Sequence, residues 1–133
     1  IEGDSERARK YYESCVRLDE NYYEAHLKLA LLFMDAENFE FARYHFKKLR
    51  LLNPLKVNTD KFLGESYLRE RKFRKAIEVL RNGLKLFPND VENLYFLSLA
   101  YGNDGGRKGI GQLHGQIRLP FSDLVDGLEE LLP

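Results

Sequence analysis

The chain has 133 residues, with one cysteine, no tryptophan and only four prolines. A single thiol, Cys15, excludes an intramolecular disulfide and any multi-cysteine metal site. No stretch approaches the roughly 18 apolar residues that a bilayer-spanning helix needs, so no membrane span is expected. An excess of one charge is also missing. Lys plus Arg total 21 and Asp plus Glu total 21, which removes any global pull toward nucleic acid or anionic membrane. The chain opens Ile1-Glu2-Gly3 with neither Met nor a signal-peptide pattern, and reads as a piece of something longer. The lack of cysteine pairs favours a reducing compartment such as the cytoplasm.

Reaction chemistry is equally sparse. His26, His45 and His114 have no carboxylate or thiol at ligand spacing, and no His-Glu-x-x-His occurs, so no metal is expected. Cys15 falls in a packed column with Leu49, which reads as a small buried hydrophobe rather than a nucleophile. No glycine-rich loop follows a strand, because no strand is expected. The chain therefore reads as a non-enzyme with no cofactor.

What is present is a core and a period. Hydrophobic residues make up 44% and aromatics 13%, enough for a packed interior rather than a disordered chain. Pro54 and Pro88 lie 34 residues apart. Sliding the chain by that interval aligns Leu29, Leu63 and Leu97, each followed by a small residue: Ala30, Gly64, Ser98. Phe33, Tyr67 and Tyr101 come next, and Phe39 matches Phe73. Further columns hold Ala8, Ala42 and Ala76; Tyr12, Phe46 and Leu80; and Leu18, Leu52 and Leu86. Seven agreeing columns make a repeat.

Inside each period the apolar spacing is three and four residues, as in Leu27, Ala30 and then Phe33, or Ala42, Phe46 and then Leu49. Polar or breaking residues separate the segments at Glu37-Asn38, Asn53-Pro54 and Pro88-Asn89-Asp90, and a helix stops before proline. Each period thus holds two helices of about 13 residues, a hairpin that must stack on its neighbours to bury both faces. The small residues let paired helices approach closely, and the ring at Phe33, Tyr67 or Tyr101 fills the space beside them.

This order of small and large residues over 34 positions resembles the tetratricopeptide repeat (TPR) family. The resemblance covers roughly residues 4 to 102, and departs from the family pattern in lacking tryptophan and in placing Leu49 and Gly83 where alanine is usual. It implies an all-α, helical-hairpin solenoid, a right-handed superhelix. The expected organisation is a TPR-like array over 1–101, with a half repeat 4–20, full repeats 23–56 and 57–90, and a half repeat 91–101. A Gly-rich linker over 102–120 and an amphipathic C-terminal helix over 121–133 complete the chain.

The linker follows from glycine. Six of the ten glycines crowd between Gly102 and Gly115, too large an entropy cost for a packed helix. In the tail, Ser122 can cap a helix whose face is Phe121, Leu124, Val125, Leu128, Leu131 and Leu132, opposite Asp123, Asp126, Glu129 and Glu130. A bare third-copy helix would expose Leu97 and Tyr101, so the tail is the natural cover. Three placements stay open: a cap on the array, the concave groove of its own or a neighbouring molecule, or no fixed place. Composition alone also leaves open a partner-derived peptide joined through the linker. Exchange between molecules would give a dimer, so self-association through this helix is one expectation.

The resemblance also implies where a partner binds, since the first helix of each TPR copy lines a concave groove. The residues so placed are Leu27, Lys28, Leu31, Met34 and Asp35, then Lys61, Phe62, Glu65, Leu68 and Arg69, then Tyr95, Phe96 and Leu99. Leu27, Leu31 and Phe62 stand where chaperone-binding members hold a carboxylate clamp, so that clamp is absent and the groove is oily. Inter-repeat packing is the alternative role for the same residues. Arg69, Arg71, Lys72, Arg74 and Lys75 crowd one turn, as a solvated turn or as a patch for phosphate or an acidic partner.

The expected function is a protein–protein interaction scaffold that binds an amphipathic or extended peptide segment of a protein partner, its own tail included. The rivals are an accessory or regulatory domain of a larger enzyme and, more weakly, an RNA-binding helical repeat. Nucleic acid is disfavoured because polar base-contacting side chains are scarce along the groove.

Overall fold

A computed structural model of the chain describes residues 2–104, and these contain six α-helices and no strand. The helices are α1 (Glu2–Leu18), α2 (Tyr23–Asp35), α3 (Phe39–Leu52), α4 (Thr59–Arg69), α5 (Phe73–Leu86) and α6 (Val91–Asn103). Two helices fill each 34-residue period, as the spacing requires. Of the expected linker, residues 105–120 lie outside the described residues, as does the expected tail helix from Phe121 to Pro133. Gly102 and Asn103 belong to α6 rather than to a linker. The helix continues because the Asp104 N–H still reaches the Ala100 carbonyl at 2.9 Å and the Asn103 amide caps the Leu99 carbonyl at 2.7 Å.

The helices divide into two compact units, Ile1–Thr59 and Asp60–Pro133. In the first, α1 packs on α2 and α2 on α3. Ala25, Leu29, Ala30 and Met34 of α2 are buried, as are Ala42, Phe46 and Leu49 of α3. In the second, α5 packs on α6, and Ala76, Leu80, Leu84, Leu97, Ala100 and Tyr101 form one cluster. Tyr67, Leu68, Ile77, Leu94 and Phe96 pack against its edge. Several aligned columns are therefore core: Leu29, Leu63 and Leu97 are all buried, as are Ala42 with Ala76 and Phe46 with Leu80.

Two expectations change, and one aligned column proves to lie outside the core. Leu97 and Tyr101 are not left exposed by a bare α6, because both lie in the cluster with Ala76 and Leu80. The Tyr101 hydroxyl also accepts a hydrogen bond from Arg81 Nη1 at 2.9 Å. Cys15 is half-buried, unlike Leu49 in the same column. The column Leu18, Leu52 and Leu86 is not core: Leu18 and Leu86 are exposed at their helix ends.

The first helix of each full copy ends in the same way. The Glu37 N–H donates to the Met34 carbonyl at 2.9 Å and the Asn38 N–H to the Phe33 carbonyl at 2.8 Å. Thirty-four positions on, Arg71 donates to Leu68 at 2.9 Å and Lys72 to Tyr67 at 2.8 Å. This paired pattern needs a left-handed residue just past the helix, and Glu37 and Arg71 supply it at φ of 60° and 61°. Both copies thus place a side chain where glycine is favoured. Relief of left-handed strain outweighs the extra freedom of the unfolded chain, so Glu37→Gly should raise unfolding free energy in urea by about 0.5 kcal/mol.

Gly64 marks the closest helix approach. A Cβ there would overlap Leu80 of α5, striking its Cγ and Cδ2 and coming within 3.0 Å of its Cδ1. Leu80 is fully buried and has nowhere to move. Gly64→Ala should therefore destabilise by about 1–2 kcal/mol despite alanine's better helix propensity. Gly102 meets nothing within 4 Å, so Gly102→Ala should be neutral or stabilising by up to about 0.5 kcal/mol in the same urea titration.

Candidate functional site

The expected partner-binding residues sit on α2, α4 and α6. On α2, Leu27 and Leu31 are half-buried and Lys28 is exposed. Met34 is not a surface residue but part of the core, only 5% exposed, because four residues beyond Ala30 it returns to the buried face of the helix. At the start of α2, Lys56 Nζ reaches Glu24 Oε1 at 2.9 Å and lies 4.4 Å from the Tyr23 ring centroid. The Tyr23 hydroxyl is buried with no hydrogen-bond partner, and that burial pushes its pKa up.

In the second unit, Lys61 of α4 connects to the start of α6. Its ammonium lies 3.1 Å from Glu92, 3.9 Å from Asp90 and 4.7 Å from the centroid of its neighbour Phe62. Asp90 also caps α6, its Oδ1 accepting from the Asn93 N–H at 3.1 Å. Glu65 and Arg69 pair one turn apart at 3.9 Å. Leu68 and Phe96 lean onto the hydrophobic cluster, so part of each ring or branch is packing rather than free surface. Tyr95 and Leu99 are exposed, at 56% and 38%.

Val91, which sequence reasoning passed over, is 69% exposed. With Tyr95 and Leu99 it forms an i, i+4, i+8 row on α6, on the side away from buried Leu97, Ala100 and Tyr101. That row was readable as spacing, but its exposure was not. Asn93 is fully buried with neither amide atom hydrogen-bonded, and nothing in the sequence signals it.

The basic turn is largely neutralised. Arg69 pairs with Glu65, Lys72 with Glu70 at 3.5 Å, and Arg74 with Asp104 at 3.5 Å. An open cleft of about 390 Å³ is lined there by Arg71, Lys72, Phe73, Arg74, Lys75 and Asp104. In the first unit a wider open cleft of about 830 Å³ lies between α1 residues such as Glu6 and Arg9 and the end of α2 at Leu32, Phe33 and Asp35. Arg9 is already held by Glu6 and by Glu13, the latter at 3.5 Å. No group of three or more His, Cys, Asp or Glu side chains could hold a metal ion among the described residues. None of the described helices is long and apolar enough to cross a membrane.

Sequence spacing also missed a histidine pair. His26 Nδ1 and His45 Nδ1 lie 3.0 Å apart, and His26 Nε2 lies 2.7 Å from the Glu20 carbonyl. A carbonyl only accepts, so His26 Nε2 carries the proton and its Nδ1 accepts from His45 Nδ1–H. The His45 ring stacks on Phe33 at 5.7 Å and meets Tyr44 edge-on at 5.0 Å. Burial first, and the facing His26 second, lower the His45 pKa to about 4.

A histidine held below its unfolded value of 6.5 favours the neutral folded form, so the stability it supports is complete above that pH. It is lost as pH falls from about 6.5 toward about 4. Discounted for the solvent that reaches this half-exposed ring, the loss should be about 1–2 kcal/mol. Urea titrations at pH 7.5 and pH 5 should show it, and His45→Phe should flatten that slope.

Within each unit the geometry is that of paired helices, the two full copies sharing matched turns, and the wider comparisons agree. The sequence pattern of the tetratricopeptide repeat family matches residues 2–54 and 63–105, and the chain belongs to that family. Superkiller protein 3 of Schizosaccharomyces pombe is 26% identical over 98 residues, 74% of this chain but 7% of that protein. A crystal structure of MamA matches with a TM-score of 0.72 over 98% of this chain and 78% of that one. At 23% identity, this last likeness shows the fold alone. TPR domains are generally non-catalytic scaffolds for protein interaction.

Proposed function

We propose that the chain is a protein-interaction module in which the first helices of the copies, α4 and α6 in the second unit and α2 in the first, each offer apolar, lightly charged side chains to an amphipathic or extended segment of a partner protein. The observation that carries this reading is the α6 row Val91, Tyr95 and Leu99, exposed at 69%, 56% and 38% on a helix whose opposite face is fully packed. Three large side chains held in water on a rigid helix gain by burial, and the array needs no rearrangement to offer them. On α4, the exposed parts of Phe62 and Leu68 add apolar surface beside the Lys61 and Arg69 charges. Leu27, Lys28 and Leu31 supply the corresponding positions on α2. Helix-in-groove recognition anchors a partner at residues spaced three, four and seven apart, and the four-residue spacing of the α6 row suits such anchors.

The test is an NMR titration of the labelled chain with synthetic amphipathic helical peptides of neutral, acidic and basic composition. Amides of α4 and α6 should shift with at least one of them. A Tyr95→Ser, Leu99→Ser double variant should weaken that binding about tenfold or more while leaving helix content unchanged. If no peptide moves these amides, or the double variant binds equally well, this surface is not the binding site.

A further inference from the structure

The second helix of the first full copy carries a face left largely in water, though the Phe41 ring touches Phe33 at 5.4 Å and Tyr44 touches His45. Phe41, Tyr44 and Leu51 of α3 are 56%, 64% and 81% exposed, and Leu55 just beyond the helix is 66% exposed. Their spacing, with Lys48 between, is 41, 44, 48, 51 and 55. This single stripe lies opposite buried Ala42, Phe46 and Leu49. The helix is strongly basic: Arg43, Lys47, Lys48 and Arg50 stand against one acid, Glu40. Neither Lys47 nor Lys48 has an ion pair among the described residues.

The same chain contains the chemical complement. Residues 121–132 place Phe121, Leu124, Val125, Leu128, Leu131 and Leu132 at helical spacing, with Asp123, Asp126, Glu129 and Glu130 and no Lys or Arg. As an α-helix, Phe121 to Leu132 would span about 17 Å, against about 15 Å from Phe41 to Leu51. The α4/α6 surface is a poorer match in charge, since Glu65, Asp90 and Glu92 there outnumber Lys61 and Arg69.

We propose that the outward face of α3 is a docking surface for residues 121–132 of a second copy of this chain. The apolar stripes bury one another, and the positive charge of Lys47 and Lys48 attracts the net negative incoming segment without requiring direct ion pairs. A contact between two different patches is heterologous, so it builds either a reciprocal pair that exchanges segments or a longer chain of copies. A patch this small places the association in the weak, reversible class. It uses a face other than the one assigned to partner binding, so the two readings stand or fall separately.

Sedimentation of the full chain over a range of concentrations tests the proposal. The average mass should rise with concentration above the 15.6 kDa of one copy, and the rise should shrink as salt screens the charges. Lys47→Glu with Lys48→Glu should weaken association about tenfold or more, and so should Asp126→Lys with Glu129→Lys and Glu130→Lys. The second set alters nothing in α1–α6, so its effect cannot come from a damaged fold. An equimolar mixture of the two variants should restore association, because each then supplies the surface the other lacks. A mass fixed at one copy at every concentration overturns the proposal. So does association that survives both charge reversals, or that is lost only in the Tyr95→Ser, Leu99→Ser variant.

Discussion

Everything in this fold depends on how closely the two helices of a hairpin can approach. At Gly64 the Leu80 side chain of α5 comes so close to α4 that it leaves no room for even a methyl group. In the preceding copy Ala30 on α2 and Ala42 on α3 are both fully buried. At Gly64 the small residue brings Leu80 within van der Waals reach of the opposite backbone, and Phe46, at the matching place in the preceding copy, is also fully buried. A 34-residue hairpin buries little on its own, so this close contact has to recur in every copy. It is also why the period is conspicuous in the chain.

Polar features sit where close packing leaves them no choice. The histidine pair closes α2 against α3 and ties both to the Glu20 carbonyl before α2. Lys61 does a similar task in the second unit, reaching from α4 to Asp90 and Glu92 at the start of α6. Asn93 is the exception: a fully buried amide with neither atom satisfied, an arrangement that normally costs stability. The structure offers no compensating contact for it.

The outer surfaces divide by charge. The exposed row on α6 has acids beside it, whereas the exposed stripe on α3 has lysines. One balanced chain therefore carries two apolar surfaces of different electrostatic character. They suit different ligands, and neither is needed to hold the hairpins together.

Much of this was written in the sequence. Columns such as Leu29, Leu63 and Leu97 identified the helices, the hairpin and the family, because burial at a fixed place in each copy demands the same residue type there. What sequence could not supply was which polar groups meet and which apolar groups stay in water. Met34 and Tyr95 were both assigned to the partner surface, yet one is core and the other exposed. The difference is a matter of helix phase against a particular neighbour, which residue identity does not encode. His26 and His45 are 19 positions apart with no motif between them, and only the packing of α2 on α3 brings their rings together. Likewise Glu37 and Arg71 accept a conformation suited to glycine because the helices on either side dictate the turn. Repetition fixes the hairpins from sequence alone, since each copy obeys the same local rules. The contacts between helices, and hence the surfaces left over, belong to the tertiary structure.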